Sequence, residues 1–485
     1  MNIKQAKDEI KHTVQAYLKK DEFNSYVLPI TSQRPILLIG PPGIGKTQIM
    51  EQIAKECGIG LVSYTITHHT RQSAVGLPFI SKQEFEGKEY AVTEYTMSEI
   101  IASVYQKMKD TNKSEGILFI DEINCVSETL APTMLQFLQG KTFGNQAIPQ
   151  GWIIVGAGNP SEYNKSVREF DMVTLDRIRY LNVEQDYGVW KEYAINHGIH
   201  PCILSYLDLK PNRFYQVVND IDGLQFVTAR GWSDLSDLMK MYESLNIEIT
   251  QDIIYEYIHF EDIAEDMMAY YLLYKKYHDD YGIEDILNGK ITSSHYARVF
   301  NASFDERLAV VNLLLDGITK RVNTYFDLRN QVDSWYEMLR IYHSNPTKEY
   351  YEQLLHDELM NNKMNYEQDL ISKNEFNKKN QSIQNRKVIF DGENCFECVK
   401  TQFNKLKEKM EQIEQETISS MESCFEFMGG AFESGQEMVI FVTSLSMNSN
   451  CALFLSENEI EAYDQYKKEL LIGTRRRELL DILSD

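Results

Sequence analysis

Long apolar runs, basic clusters and a cysteine framework are what this 485-residue chain lacks. No run is apolar over the length needed to span a bilayer, and the N-terminal MNIKQAKDEIKHTV is charged and periodic where a secretory leader would be apolar. A cytoplasmic protein without membrane insertion is expected. Against 72 Asp+Glu stand 49 Lys+Arg, a net charge of −23 that repels phosphate backbones and anionic lipid surfaces. The densest basic stretch is RRR at 475–477, so no nucleic-acid partner is expected. The cysteines, at 57, 125, 202, 395, 398, 424 and 451, are odd in number and scattered, unlike the dense framework of a small secreted domain, and a reducing compartment fits them. The single CxxC, Cys395 to Cys398, has neither a second CxxC nor a nearby histidine pair to complete a zinc site, and reads as thiols on a helix. His68-His69 lacks HExxH spacing.

What is present, with 43% hydrophobic residues, is enough to bury a large core in two to four domains. From 36 to about 183, short apolar runs alternate with helical patterns: ILLIG (36–40), LVSYTIT (61–67), ILFID (117–121), WIIVGAGN (152–159) and YLNV (180–183). That alternation predicts an α/β parallel sheet with helices on both faces. From about 186 the β signal fades into short helical stretches ending in ARGWSDLSDLMKMYESL (229–245), a small helical lid. The expected division is an α/β core with an N-terminal helix over 1–185, a lid over 186–248, and a mostly helical region over 249–485 with a helical-hairpin arm near 346–430. Within the last, LAVVNLLLDGI (308–318) looks most buried, and the spacing of Val399, Phe403, Leu406, Met410, Ile413 and Thr417 predicts a packed helical seam. The polar KNEFNKKNQSIQNRKV (373–388) reads as a linker or exposed tip. EMVIFVTSLSMN (437–448) fits a strand or a buried helix equally.

Gly40-Pro41-Pro42-Gly43-Ile44-Gly45-Lys46-Thr47 satisfies GxxxxGK[ST] between a strand and a helix, with Gln48 in the first helical turn. Glycines let backbone N–H groups close around a phosphate, and the helix N-terminus adds its positive dipole end. Lys46 should reach β/γ oxygens and Thr47 should ligand Mg²⁺. ILFIDE places Asp121 at a strand end, suited to Mg²⁺ through its water shell, and Glu122 beside it, suited to deprotonating an attacking water. Asn159, at the tip of the next strand, is suited to contact the γ-phosphate and that water. Arg177 lies just before the last core strand, with Arg179 as its substitute, and Arg230 opens a lid helix. Either guanidinium could neutralise charge developing on a transferred phosphoryl group. ATP and Mg²⁺ are the implied ligands. No NKxD motif points to guanine.

In this order the motifs resemble those of AAA+ ATPases: GPPGIGKT as Walker A, ILFIDE as Walker B, Asn159 as sensor 1, Arg177 as arginine finger and Arg230 as sensor 2. Within them the chain looks most like the MoxR-type branch, through Gly76-Leu77-Pro78, VTEYTMSEII (92–101), GNP, LDRI and TARGW. It departs from the commoner pattern in TARGW, which replaces a Ser-Pro-Arg opening, and in LDRI, which carries Ile where Phe is typical. The resemblance covers about residues 30–245. It implies a P-loop sheet core, ATP hydrolysis, a ring of self-copies expected to be hexameric, and chaperone-like action on a protein partner, often one with a von Willebrand factor A domain. It also implies an insertion near 70–96 and a hairpin near 139–151; SKQEFEGKEYAV (81–92) reads independently as a hairpin. A slowly hydrolysing nucleotide-gated switch is the alternative, and a nucleic-acid translocase is disfavoured by the charge.

Overall fold

A computed structural model describes residues 1–67, 74, 76–143, 146–163, 167–168, 170–220, 223–367, 371, 373–388, 390, 395–433 and 435–468. His68, His69 and the arginines at 475–477 lie outside the described residues. Two compact units form: Met1–Trp190 with Phe214–Trp232, and Lys191–Arg213 with Ser233–Asp485.

The first unit carries every strand found among the described residues. In chain order these are β1 (Ile36–Ile39), β2 (Gly60–Thr65), β3 (Pro78–Phe85), β4 (Lys88–Tyr95), β5 (Gly116–Asp121), β6 (Thr142–Phe143), β7 (Gln146–Ala147), β8 (Trp152–Gly158), β9 (Arg179–Asn182), β10 (Gln216–Asp220) and β11 (Gly223–Val227). The five apolar runs of the sequence become one parallel sheet in the order β2-β5-β8-β1-β9. Side chains alternate between its faces, as the two-residue period of a strand requires. Leu37, Ile39, Leu118, Ile120 and Ile154 pack with Ile100, Ile101 and Val104 of helix Glu99–Thr111 and Met134, Phe137 and Leu138 of helix Ala131–Gly140. Ile36, Leu38, Ile117, Phe119, Ile153 and Val155 pack with Ala6, Ile10 and Val14 of helix Ile3–Tyr17 and Ile49, Met50 and Ile53 of helix Lys46–Cys57. Both faces are therefore covered, which explains why the strands read as continuous apolar runs.

Three two-stranded hairpins stand outside this sheet: β3–β4, β6–β7 and β10–β11. The first turns through Glu86 (φ 52°) and Gly87 (φ 77°), the positive-φ pair that suits a tight hairpin, and confirms the hairpin expected over 81–92. The second pairs Thr142 with Ala147 and Phe143 with Gln146, within the expected 139–151 span. The third corrects the sequence reading of 186–248, which placed only helix there. Its strands QVVND and GLQFV are short and mostly open to solvent, too little buried to leave a clear alternation.

Between helix Ala131–Gly140 and β6 sits Lys141, only 6% exposed and with φ 55°. Burial alone holds its ammonium down at about 8. The folded state pays for the charge below that pH and is relieved as pH rises from about 8 towards the lysine's ordinary value, a cost of about 3 kcal/mol at neutral pH. Lys141→Met is therefore expected to raise the urea midpoint at pH 7, followed by tryptophan fluorescence, and to lose that advantage near pH 10. A lower midpoint at pH 7 would show that the ammonium has a stabilising role.

The second unit is helical. Helix Phe304–Tyr342 opens on a capping box between Ser303 and Glu306 and buries Leu308, Val310, Val311, Leu314 and Ile318, as the 308–318 stretch suggested. Helix Cys395–Phe432 buries Val399, Phe403 and Thr417 of the expected seam. Residues 373–388 correct the linker reading: Lys373–Asn385 is a helix, and its Ile383 joins Trp335, Tyr342, Tyr351 and Phe403 in a satellite core. Among its described residues one buried apolar side chain suffices, so composition hid the helix. The ambiguous 437–448 run is a helix, Gln436–Met447, burying Met438, Phe441, Val442 and Leu445 at steps of three, one and three. No single helix among the described residues is long and apolar enough to cross a membrane.

Candidate active site

The loop after β1 is shaped by two glycines in the left-handed region, Gly43 at φ 75° and Gly45 at φ 92°. A Cβ on Gly43 would also lie 3.0 Å from the Thr228 side chain and 3.4 Å from Arg230 Cβ. Glycine is thus needed twice over at 43, for conformation and for space. Gly45 caps helix Lys46–Cys57 without a side-chain hydrogen bond. The first-turn N–H groups of that helix have no intrahelical acceptor and sit at its positive dipole end, a fit for a phosphate group.

Lys46 is 8% exposed, and its Nζ donates to the carbonyl oxygens of Gly40 (2.7 Å) and Pro41 (2.8 Å) and to Asn159 Oδ1 (2.9 Å). Burial brings its pKa down to about 8, with nearby Arg230 pushing the same way and the carboxylates Asp121 and Glu122 pushing back. Thr47 Oγ1 donates to Asp121 Oδ2 at 3.1 Å, so the hydroxyl and the carboxylate suited to Mg²⁺ already face one another. That donor set fits the cation.

The register of the sheet produces this meeting. β1, β5 and β8 run parallel as neighbours, so the loop, Asp121-Glu122 and Asn159 all emerge at their carboxyl ends, where open α/β sheets bind ligands. Glu122 follows at φ 55°, a strained region for a non-glycine residue, with its N–H bonded to Asp121 Oδ1 at 2.9 Å. The strand ladder does not hold this residue; a turn does. A cavity of about 610 Å³ opens beside Pro41, Asn124, Asn159 and Asn182.

The arginines divide. Arg230 begins helix Ala229–Ser244 with its Cβ over Gly43, beside the loop. Arg179 is tied to Glu9 and Thr13 of the first helix, whereas Arg177 is exposed and its guanidinium donates to Gln139. β9 begins at Arg179, paired with Ile36 at the start of β1, while the phosphate loop begins after Ile39 at the other end. A four-residue strand spans about 13 Å. Arg177, two residues before β9, therefore lies toward the amino-terminal end of the strands, whereas the loop leaves β1 at the carboxyl end.

Two neighbours of the site went unnoticed in the sequence. Tyr215 OH donates to the carbonyl of Pro42 at 3.1 Å, and Asn124 Nδ2 donates to the carbonyl of Asn159 at 2.7 Å. Neither has a motif; an asparagine two places after an Asp-Glu pair was the only available hint.

A consequence of the Lys46 environment is testable. Below about pH 8 the free loop lysine is charged; above it, binding a polyanion must draw a proton back onto Nζ, since a nearby negative charge favours the charged form. Mg-ATP affinity is expected to fall up to about tenfold per pH unit above 8. Calorimetry in buffers of different ionisation enthalpy should register proton uptake at pH 8.5. Binding without proton exchange there would show that Lys46 is charged throughout.

Residues 36–174 match the family described as ATPase family associated with various cellular activities (AAA). No curated protein matches the chain. The solved structures to which similarity is found include three RuvB mutants of Thermotoga maritima. The first is 17% identical, covering 53% of this chain and 69% of that one at a TM-score of 0.30. The second is 17% identical over 52% and 69% at 0.29. The third is 16% identical over 53% and 68% at 0.29. The fold class is that expected from the sequence, an AAA+ P-loop parallel sheet core with a mostly helical remainder.

Proposed function

Taking residues 36–174 as an AAA-family domain, we propose that the chain is a MoxR-type AAA+ ATPase that hydrolyses ATP to remodel or activate a protein partner. The observation that carries ATP hydrolysis is the linked set of contacts Thr47–Asp121 and Lys46–Asn159, which brings four motif residues from three adjacent strand ends to one place. Backbone N–H groups of residues 43–48 bind the phosphates. Lys46 turns from the Gly40 and Pro41 carbonyls to β/γ oxygens, trading neutral acceptors for charged ones, the stronger hydrogen bonds. Mg²⁺ at Thr47 and, through water, Asp121 would supply charge neutralisation at the β/γ oxygens. Glu122 takes the proton of the lytic water, Asn159 orients that water against the γ-phosphate, and Arg230 stabilises the phosphoryl charge from within the chain.

Arg177 lies toward the end of the strands opposite its own loop, and that placement supports its working on a neighbouring copy. The proposed assembly is a hexameric ring in the cytoplasm. For its architecture we keep the division into a core over 1–185, a lid over 186–248 and a helical region over 249–485. The partner-directed parts are the β3–β4 insertion and the helical region; a protein with a von Willebrand factor A domain is the proposed class of partner.

The test is the solution mass of the protein with and without Mg-ATP, by light scattering on a sizing column, together with phosphate release. A closed assembly near six chains with steady release supports the proposal. A monomer under both conditions that binds ATP but releases none would favour the nucleotide-gated switch.

A further inference from the structure

The ladder between β5 and β8 ends at Ile120↔Gly156, before either Glu122 or Asn159 is reached. Past that point the two segments are held by other bonds. Ile123 N–H donates to the Ala157 carbonyl at 2.9 Å, and Asn124 then crosses the gap with its side chain, Nδ2 to the Asn159 carbonyl at 2.7 Å. Asn124 is only 4% exposed. Its own carbonyl accepts from Arg168 N–H at 2.9 Å, and the Cys125 thiol lies 3.9 Å from its Oδ1. The approach depends on the glycine at 158: a Cβ there would stand 2.3 Å from Asn124 Oδ1. The sequence pairs an amide two residues after Glu122 with a glycine one residue before Asn159, and the structure brings them into contact.

We infer that Asn124 is a positioning residue that sets the separation between the Glu122 carboxylate and the Asn159 side chain. The inference deepens the proposed function and rests on it. Glu122 leaves β5 in a left-handed turn closed by Cys125 N–H to the Glu122 carbonyl at 2.8 Å. Asn124 lies inside that turn, so its bond to Asn159 ties the segment bearing the base to the segment bearing the water-orienting amide. Asn159 in turn accepts from Lys46 Nζ at 2.9 Å, and Asn124 and Asn159 line the same cavity. Without the crossing bond, the Asn159 carbonyl loses a buried donor and each turn is free to move by itself. Misplacement by about 1 Å can cost about 100-fold in rate. Ground-state nucleotide binding depends mainly on the loop and is little affected.

The experiment is steady-state ATP hydrolysis by the full chain carrying Asn124→Ala, Asn124→Asp or Asn159→Ala, and by the Asn124→Ala/Asn159→Ala double variant, with folded protein counted by Mg-ATP binding. Asn124→Asp keeps the side-chain shape and presents a carboxylate where the donor stood, so it carries the test if the alanine variant does not fold. Expected for either Asn124 variant is a kcat loss of about 10- to 100-fold with KM within about twofold. In the double variant, the losses should fall short of multiplying, because both substitutions act on the one separation between Glu122 and residue 159. Wild-type kcat in a folded Asn124 variant, or losses that multiply in the double variant, would overturn the inference. A wild-type protein that releases no phosphate would instead overturn the reading of the site on which it rests.

Discussion

Glu122→Gln is expected to bind Mg-ATP with an affinity within about twofold of wild type while turnover falls by about 10²–10⁴-fold, the usual contribution of a general base. The substitution keeps size and hydrogen-bonding reach and removes the negative charge together with the ability to accept a proton. Its backbone setting should survive, because the left-handed turn is held by Ile123 N–H to Ala157 and Cys125 N–H to the Glu122 carbonyl rather than by the carboxylate. Single-turnover phosphate release separates chemistry from product loss. Undiminished turnover would remove Glu122 from the role of base and leave Asp121 as the nearest carboxylate.

On the proposed role of Arg177, Arg177→Ala is expected to lower turnover by about 10³-fold in the assembled protein, the scale of an arginine finger, with nucleotide affinity little changed. The sharper outcome comes from mixing. A Lys46→Ala chain cannot hold the triphosphate but still carries Arg177, whereas an Arg177→Ala chain has an intact loop. If the guanidinium acts on a neighbour, mixed assemblies regain activity wherever an intact loop meets an intact Arg177. No recovery in demonstrated mixtures would argue that Arg177 serves its own chain. The register makes that hard to satisfy, since β9 starts beside Ile36 and the loop follows Ile39.

The sheet was legible because its three central strands β1, β5 and β8 are buried almost throughout, and residues such as Leu37–Leu38 and Ile153–Ile154 are apolar whichever way they point. The motif residues were legible because phosphate and Mg²⁺ chemistry restricts which side chains serve. What escaped notice depends on meetings between distant segments. Asn124 is polar, lies in a turn, and acquires significance only because residue 158 has no side chain. Lys141 resembles a surface lysine after a helix, yet it is buried. The helix Lys373–Asn385 is polar almost throughout and rests on Ile383 and partners as far away in sequence as Trp335. Arg177 and Arg179 could be told apart only once Glu9 and Thr13 were seen to hold the second.

The first unit takes Phe214–Trp232 back after the second unit has already claimed Lys191–Arg213. During synthesis, therefore, the first unit cannot be completed as a nascent chain until residue 232 has left the ribosome, although all strands of its five-stranded sheet emerged some fifty residues earlier, as β9 ends at Asn182. Arg230 and Tyr215 arrive in that last instalment. A fragment stopped at 190, however well its sheet forms, would lack the strap that touches the loop after β1.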